Sequence, residues 1–215
     1  MTDPDFTFSA LEIRVLGTLL EKQRTVPDTY PLSLNALTAG CNQKTSRNPV
    51  IEAGEPDILQ AVDALKDAGF VVEVSGSRVV RFAHCLEKKL NIPTQSSALL
   101  AVLMLRGPQT AGELRLNCER LHSFADISAV EAFLEELATR SAGALVVELP
   151  RLPGSRENRW AHLLAGMPML DATASRMASS ERMAGDEIVD LRNRVAALEA
   201  EVRRLGDLLT GMAAS

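Results

Sequence analysis

A mainly α fold with small β-hairpins (α+β) follows from three features of the chain. An amphipathic helix runs directly into a two-stranded ribbon between residues 41 and 82, the same order of elements returns between residues 96 and 165, and a heptad pattern closes the sequence. In the first passage Pro56 stands where a first helical turn tolerates proline. Ile58, Leu59, Val62 and Leu65 share one face, and Gly69 supplies a left-handed stop after Ala68. Phe70, Val72 and Val74 then alternate with other residues, Ser75-Gly76-Ser77 turns the chain, and Arg78 to Phe82 returns as the second strand. Helices followed by such a hairpin make a winged helix. The sequence therefore predicts two tandem winged-helix domains and a C-terminal coiled-coil helix, bounded as domain 1 (1–84), linker (85–95), domain 2 (96–165), linker (166–186) and coil (187–213).

Each element has its own signal. Ser9-Ala10-Leu11-Glu12 is a capping box, opening a helix that runs to about Arg24 with Leu11, Val15, Leu16, Leu19 and Leu20 on a wide apolar face. A second helix spans roughly Ser33 to Ala39 and is closed by Gly40, and a polar loop from Cys41 to Pro49 leads into the third helix and its hairpin. Residues 85–95 read as linker. The second copy begins with a helix from Ser97 to Arg106, broken by Gly107-Pro108. Thr110-Ala111-Gly112-Glu113 is another capping box, before a helix carrying Leu114, Leu116 and Leu121. Ser128 starts a third helix with Val130, Phe133, Leu134 and Leu137 inward, Gly143 ends it, and 144–149 with 159–164 form the second ribbon. Finally Ile188, Val195, Val202 and Leu209 alternate with Leu191, Leu198, Leu205 and Met212 at a and d spacing. β-Branched a with leucine d favours a parallel homodimer, and Glu187 facing Arg192 and Arg194 facing Glu199 agree; packing of this helix on its own domains stays open as the alternative.

Composition narrows the function. At 215 residues and 46% hydrophobic the chain can bury proper cores. Its longest apolar run, Ala98 to Leu105, is far short of a membrane span, and MTDPDFTF lacks the regions of a signal peptide, so a cytoplasmic protein with no membrane contact is expected. Three scattered cysteines, Cys41, Cys85 and Cys118, fit thiols in a reducing compartment. A net charge of −5 with no basic segment leaves a weak nucleic-acid footprint.

The strings LEIRVLGTLLEKQRTVPDTYPLSLNAL, CNQKTSRNPV, GPQTAGELR and PRLPGSRENRWAHLL occur in order, and with them the chain closely resembles the YceH-like family of uncharacterised bacterial proteins over residues 7–165. The resemblance implies a tandem winged-helix fold and no established activity. It carries over no catalytic or ligand residue.

No phosphate loop, HExxH, GxSxG or acidic metal cluster occurs, so a non-enzymatic protein without cofactor or metal is expected. His84-Cys85 and the Cys118, His122 pair lack a CxxC partner and read as ordinary buried groups. The outer faces of the third helices are acidic: Glu55, Asp57, Asp63 and Asp67 against Lys66 in the first, Glu131, Glu135 and Glu136 against Arg140 in the second. Carboxylates meeting a phosphate lattice carry a Coulomb cost, which disfavours ordinary major-groove insertion. Cations gather instead on loops and wings, at Lys44, Arg47, Arg78, Arg81, Arg151, Arg156 and Arg159, beside donors such as Asn42, Gln43, Ser46 and Asn158. Two function classes follow: a dimeric DNA-associated regulator touching nucleic acid through wings and loops, or a scaffolding module gripping an acidic or regulatory protein partner. Trp160 is expected in the core.

Overall fold

The first amides of the chain's leading helix are satisfied as the capping box requires: Ser9 Oγ accepts from the Glu12 amide at 3.3 Å, and Glu12 Oε2 accepts from the Ser9 amide at 3.0 Å. Helix α1 (Ala10–Thr25) follows, in a computed structural model that describes residues 7–74, 79–152 and 154–168. Arg78, the turn Ser75-Gly76-Ser77 and the heptad seam Ile188, Leu191, Val195, Leu198, Val202, Leu205, Leu209 lie outside the described residues. After a 3-10 turn (Pro27–Thr29) come β1 (Leu32–Ser33), α2 (Leu34–Cys41), α3 (Glu55–Asp67), β2 (Val71–Val74) and β3 (Arg81–His84). Then come α4 (Leu86–Leu90), α5 (Thr94–Arg106), α6 (Ala111–Cys118), α7 (Ile127–Ala138), β4 (Val146–Leu149) and β5 (Arg159–His162). The architecture is mixed α+β. β1, β3 and β2 form an antiparallel sheet in that order, with Leu32 opposite Phe82 and Val72 opposite Ala83; β4 and β5 pair separately, Leu149 opposite Arg159.

Two helices organise the core. The α5 stretch Ser96 to Leu105 is buried throughout, which only a helix apolar on every side can be, and it lies against α1. Gly17 lets the two backbones approach: a Cβ there would sit 3.1 Å from both Leu105 and Met104 side-chain atoms. One cluster runs from Leu16, Leu19 and Phe70 to Leu114, Val130 and Leu134. No helix among the described residues is long and apolar enough to cross a membrane.

Several expectations shift. α2 runs on to Cys41, so Gly40 does not end it; Gly40 stands where a Cβ would lie 2.7 Å from Thr18 Cγ2, a close approach of α2 to α1. α5 starts at Thr94, and α7 is capped by Asp126, whose carboxylate accepts from the Ala129 amide at 2.8 Å, so Ser128 is inside the helix. Its C-cap is Thr139, and Gly143, at φ +102°, belongs to the following turn. β3 begins at Arg81, and Val71 is the inward residue of β2 while Val72 and Val74 face out. Leu59 and Leu116 are exposed too. Residues 85–95, expected as linker, carry α4, whose Leu86 is fully buried.

Candidate functional site

The loop between α2 and α3 is built around buried polar groups. Asn42 grips Ala53 with both ends of its amide, Nδ2 donating to the carbonyl at 2.8 Å and Oδ1 accepting from the N–H at 2.9 Å. Arg14, buried in α1, donates to the carbonyls of Cys41 and Pro49. Arg47 has no exposed side-chain surface: it forks onto Glu21 at 2.6 and 3.0 Å and donates to the carbonyls of Gly40 and Ser46 and to Gln43 Oε1. Burial acts to raise the Glu21 pKa, but the hydrogen bonds and charge of Arg47, with Lys22 adding to them, hold it below the ordinary carboxylate range. Lys44, by contrast, stands exposed. The loop also reaches the second repeat, the Asn48 amide donating to Leu105 O at 2.8 Å and Arg106 donating to Ser46 Oγ at 2.8 Å.

Against this loop lies a cavity of about 300 Å³ bounded by the ends of α1, α5 and α6. Lys22, Arg106 and Arg120 line it with Gln43, Thr45, Ser46 and Asn117, over Val102 and Leu105. None of its three cations was expected there. Each reads in sequence as a solvated helix-end charge, and only the packing of α1 on α5 brings them together.

The second hairpin frames a larger cleft of about 510 Å³. Here Arg151 and Arg156, both exposed, face Glu131, Glu148 and Glu157 above Trp160 and Ile127. Asn158 donates to Glu148 Oε1 at 3.0 Å. Trp160 is buried, as expected, and its backbone exchanges hydrogen bonds with Gln109. Arg159 is half-buried, with its Nε enclosed and unpaired.

The described residues of the first hairpin expose mainly valines. Arg81 donates to the carbonyls of Thr29 and Pro31, while Val72 (43% exposed), Val74 (39%), Val79 (54%) and Val80 (46%) face solvent beside the edge strand β2. The outer faces of α3 and α7 are acidic as expected, with Glu55, Asp57, Asp63, Glu131 and Glu135 all exposed.

Three further titratable groups have shifted pKa values, each through burial. His84 bonds Gln23 Oε1 through Nε2 at 2.7 Å, and burial pulls its pKa down to about 4. Burial does the same to His162, to about 4, and pushes the Cys118 thiol up to about 12, where its Sγ contacts Ala98 O at 3.6 Å.

A family profile described as "Protein of unknown function, DUF480" matches residues 8–155. A UPF0502 protein of Dechloromonas aromatica is 71% identical over 201 residues, covering 94% of this chain and 93% of the relative. UPF0502 proteins of Burkholderia thailandensis and Cupriavidus taiwanensis are each 56% identical, over 203 and 207 residues, covering 94% and 95% of this chain and 86% and 85% of the relatives.

Proposed function

Since the chain belongs to the DUF480 family of proteins of unknown function, we propose its role from its own surfaces: a non-enzymatic protein-interaction module of tandem winged-helix build. In this reading it works in the cytoplasm as a dimer paired through Ile188, Leu191, Val195 and the rest of the heptad seam. The order of three helices and a hairpin, twice over, supports the winged-helix assignment.

One observation carries the choice of partner. Among its described residues the first hairpin exposes four valines, Val72, Val74, Val79 and Val80, in β2 and just before β3, with β2 the last strand of its sheet. Contiguous exposed apolar surface beside a free edge fits another polypeptide and gives nothing to a phosphate backbone. Arg47 and Arg81 are engaged within the fold, and Arg151 and Arg156 face three carboxylates. That mixed surface suits a charged peptide segment better than a polyanion.

Association with DNA through wings and loops is the second reading, favoured by the element order and by the exposure of Lys44, Arg151 and Arg156. Fluorescence anisotropy with duplex DNA at low ionic strength separates the two. The interaction module is expected to leave the duplex unbound, and to retain a co-purifying protein that Val72→Glu plus Val80→Glu releases. Duplex binding with a steep salt slope, abolished by Arg151→Ala plus Arg156→Ala, would establish the DNA reading in its place.

A further inference from the structure

We propose that the cavity between the α2–α3 loop and the ends of α1, α5 and α6 binds a small phosphorylated ligand with an apolar portion, of the chemistry of a nucleoside monophosphate. The inference is independent of the partner class argued above. Its first support is charge. Lys22, Arg106 and Arg120 converge on one cavity in a chain whose net charge is −5. The only carboxylate among the lining residues, Glu21, is already forked by Arg47 and lies 3.3 Å from Lys22 Nζ. An uncompensated cationic pocket remains, and an anion is what it lacks.

Donor geometry points the same way. Arg120 makes no hydrogen bond or ion pair among the described residues, and Arg106 spends one donor on Ser46 Oγ. A guanidinium carries five N–H groups in a planar fork matched to phosphate oxygens, so both keep donors to present. Hydroxyl and amide groups on Thr45, Ser46 and Asn117 also line the cavity. Ser46 is held at φ +59°, a left-handed conformation uncommon for a residue other than glycine, and the amide of Asn48, two residues on, is tied to Leu105 O. Such backbone outliers cluster where a fold positions groups for a ligand.

Size and lining select the ligand class. A volume of about 300 Å³ is at the small end of the range for small-molecule sites. Val102, Leu105 and Leu121 add apolar surface that inorganic phosphate could not use but a nucleobase could. Because α1 and the loop come from one repeat and α5 and α6 from the other, occupation would also tie the repeats together and raise the unfolding temperature.

Isothermal titration of the full chain at low ionic strength with adenosine 5′-monophosphate, adenosine and inorganic phosphate tests this. The monophosphate is expected to saturate with a Kd below about 1 mM, adenosine is expected not to bind, and phosphate is expected to bind more weakly. Arg120→Gln, which removes no hydrogen bond or ion pair among the described residues, is expected to weaken the monophosphate roughly tenfold, as loss of a charge-assisted hydrogen bond does. Its unfolding temperature without ligand should match the parent protein. No saturation by the monophosphate overturns the proposal, as does an Arg120→Gln curve superimposable on the parent. Phosphate binding as tightly as the monophosphate overturns the apolar half of it.

Discussion

Arg47→Ala is the substitution on which the account of the α2–α3 loop stands. In sequence Arg47 is a loop cation among Thr, Ser, Asn and Pro; in the fold its side chain has 0% exposure and its Nη2 lies 2.6 Å from Glu21 Oε2. Truncation would leave the Glu21 carboxylate, itself 13% exposed, without its bidentate partner, and would strand the Gly40 carbonyl. Breaking a buried pair from one side costs about 3–5 kcal/mol, because the remaining charge stays desolvated. In a protein of this length each kcal/mol lowers Tm by roughly 2–4 °C, so the variant should melt about 6–20 °C below the parent. Urea and thermal unfolding followed by circular dichroism give the number. Adding Glu21→Gln to Arg47→Ala should recover part of the loss, since it removes the stranded charge. A loss under about 1 kcal/mol, the value of an exposed pair, would refute the burial and return Arg47 to the pool of surface cations.

Three further outcomes follow from packing and titration. His84 titrates at about 4 in the fold against an ordinary 6.5, so the unfolded chain binds its proton first. Stability is therefore complete above about pH 6.5 and falls towards pH 4, by up to about 3 kcal/mol for this group; urea midpoints measured across that window should drop, and His84→Gln should flatten the slope. Gly40→Ala, ordinarily a gain in a helix, should destabilise by about 1–3 kcal/mol because its Cβ would meet Thr18 Cγ2 at 2.7 Å. Thr18→Ser, which deletes that methyl, should relieve the clash, and additive losses would count against it. Leu86→Ala should cost about 2–5 kcal/mol in the same unfolding assay, as a fully buried leucine does, whereas a solvated linker position would show almost nothing.

What could be read in advance was local. The capping boxes at Ser9 and Thr110, Pro56 in a first turn, Gly69 at φ +76° and the two ribbons are signals carried within a few residues, and each appears where expected. β1 escaped notice because two residues carry no alternation, and it becomes a strand only when Leu32 meets Phe82. Residues 85–95 looked like linker because CLEKKLNIPTQ is charged, yet Leu86, Leu90 and Ile92 are spaced to bury one side of a short helix. The site was less legible still. Lys44, Arg151 and Arg156 are exposed as expected, but whether an arginine such as Arg47 or Arg81 faces water or a carbonyl depends on chain that is distant in sequence. Lys22, Arg106 and Arg120 could not be grouped without knowing that α1 lies on α5.

That packing also changes what the repeat means. Two copies of a three-helix unit could act as separate readers of two similar targets, each using its own loop and wing. Here the first helices of both copies are packed together at Gly17, and the loop of the first copy is hydrogen-bonded to the end of α5 in the second through Asn48 and Ser46. The connection between α6 and α7 is held by Arg115, which donates to the carbonyls of Phe124 and Ala125. The two loops thus differ, and so do the described residues of the two hairpins, one exposing valines and the other Glu148, Arg151, Arg156 and Glu157. Packing of α1 on α5 thus gives the fold two unlike hairpins and one cavity at the α2–α3 loop. A protein built this way is suited to holding two different ligands in one fixed arrangement, which a pair of independent readers on a flexible tether cannot do.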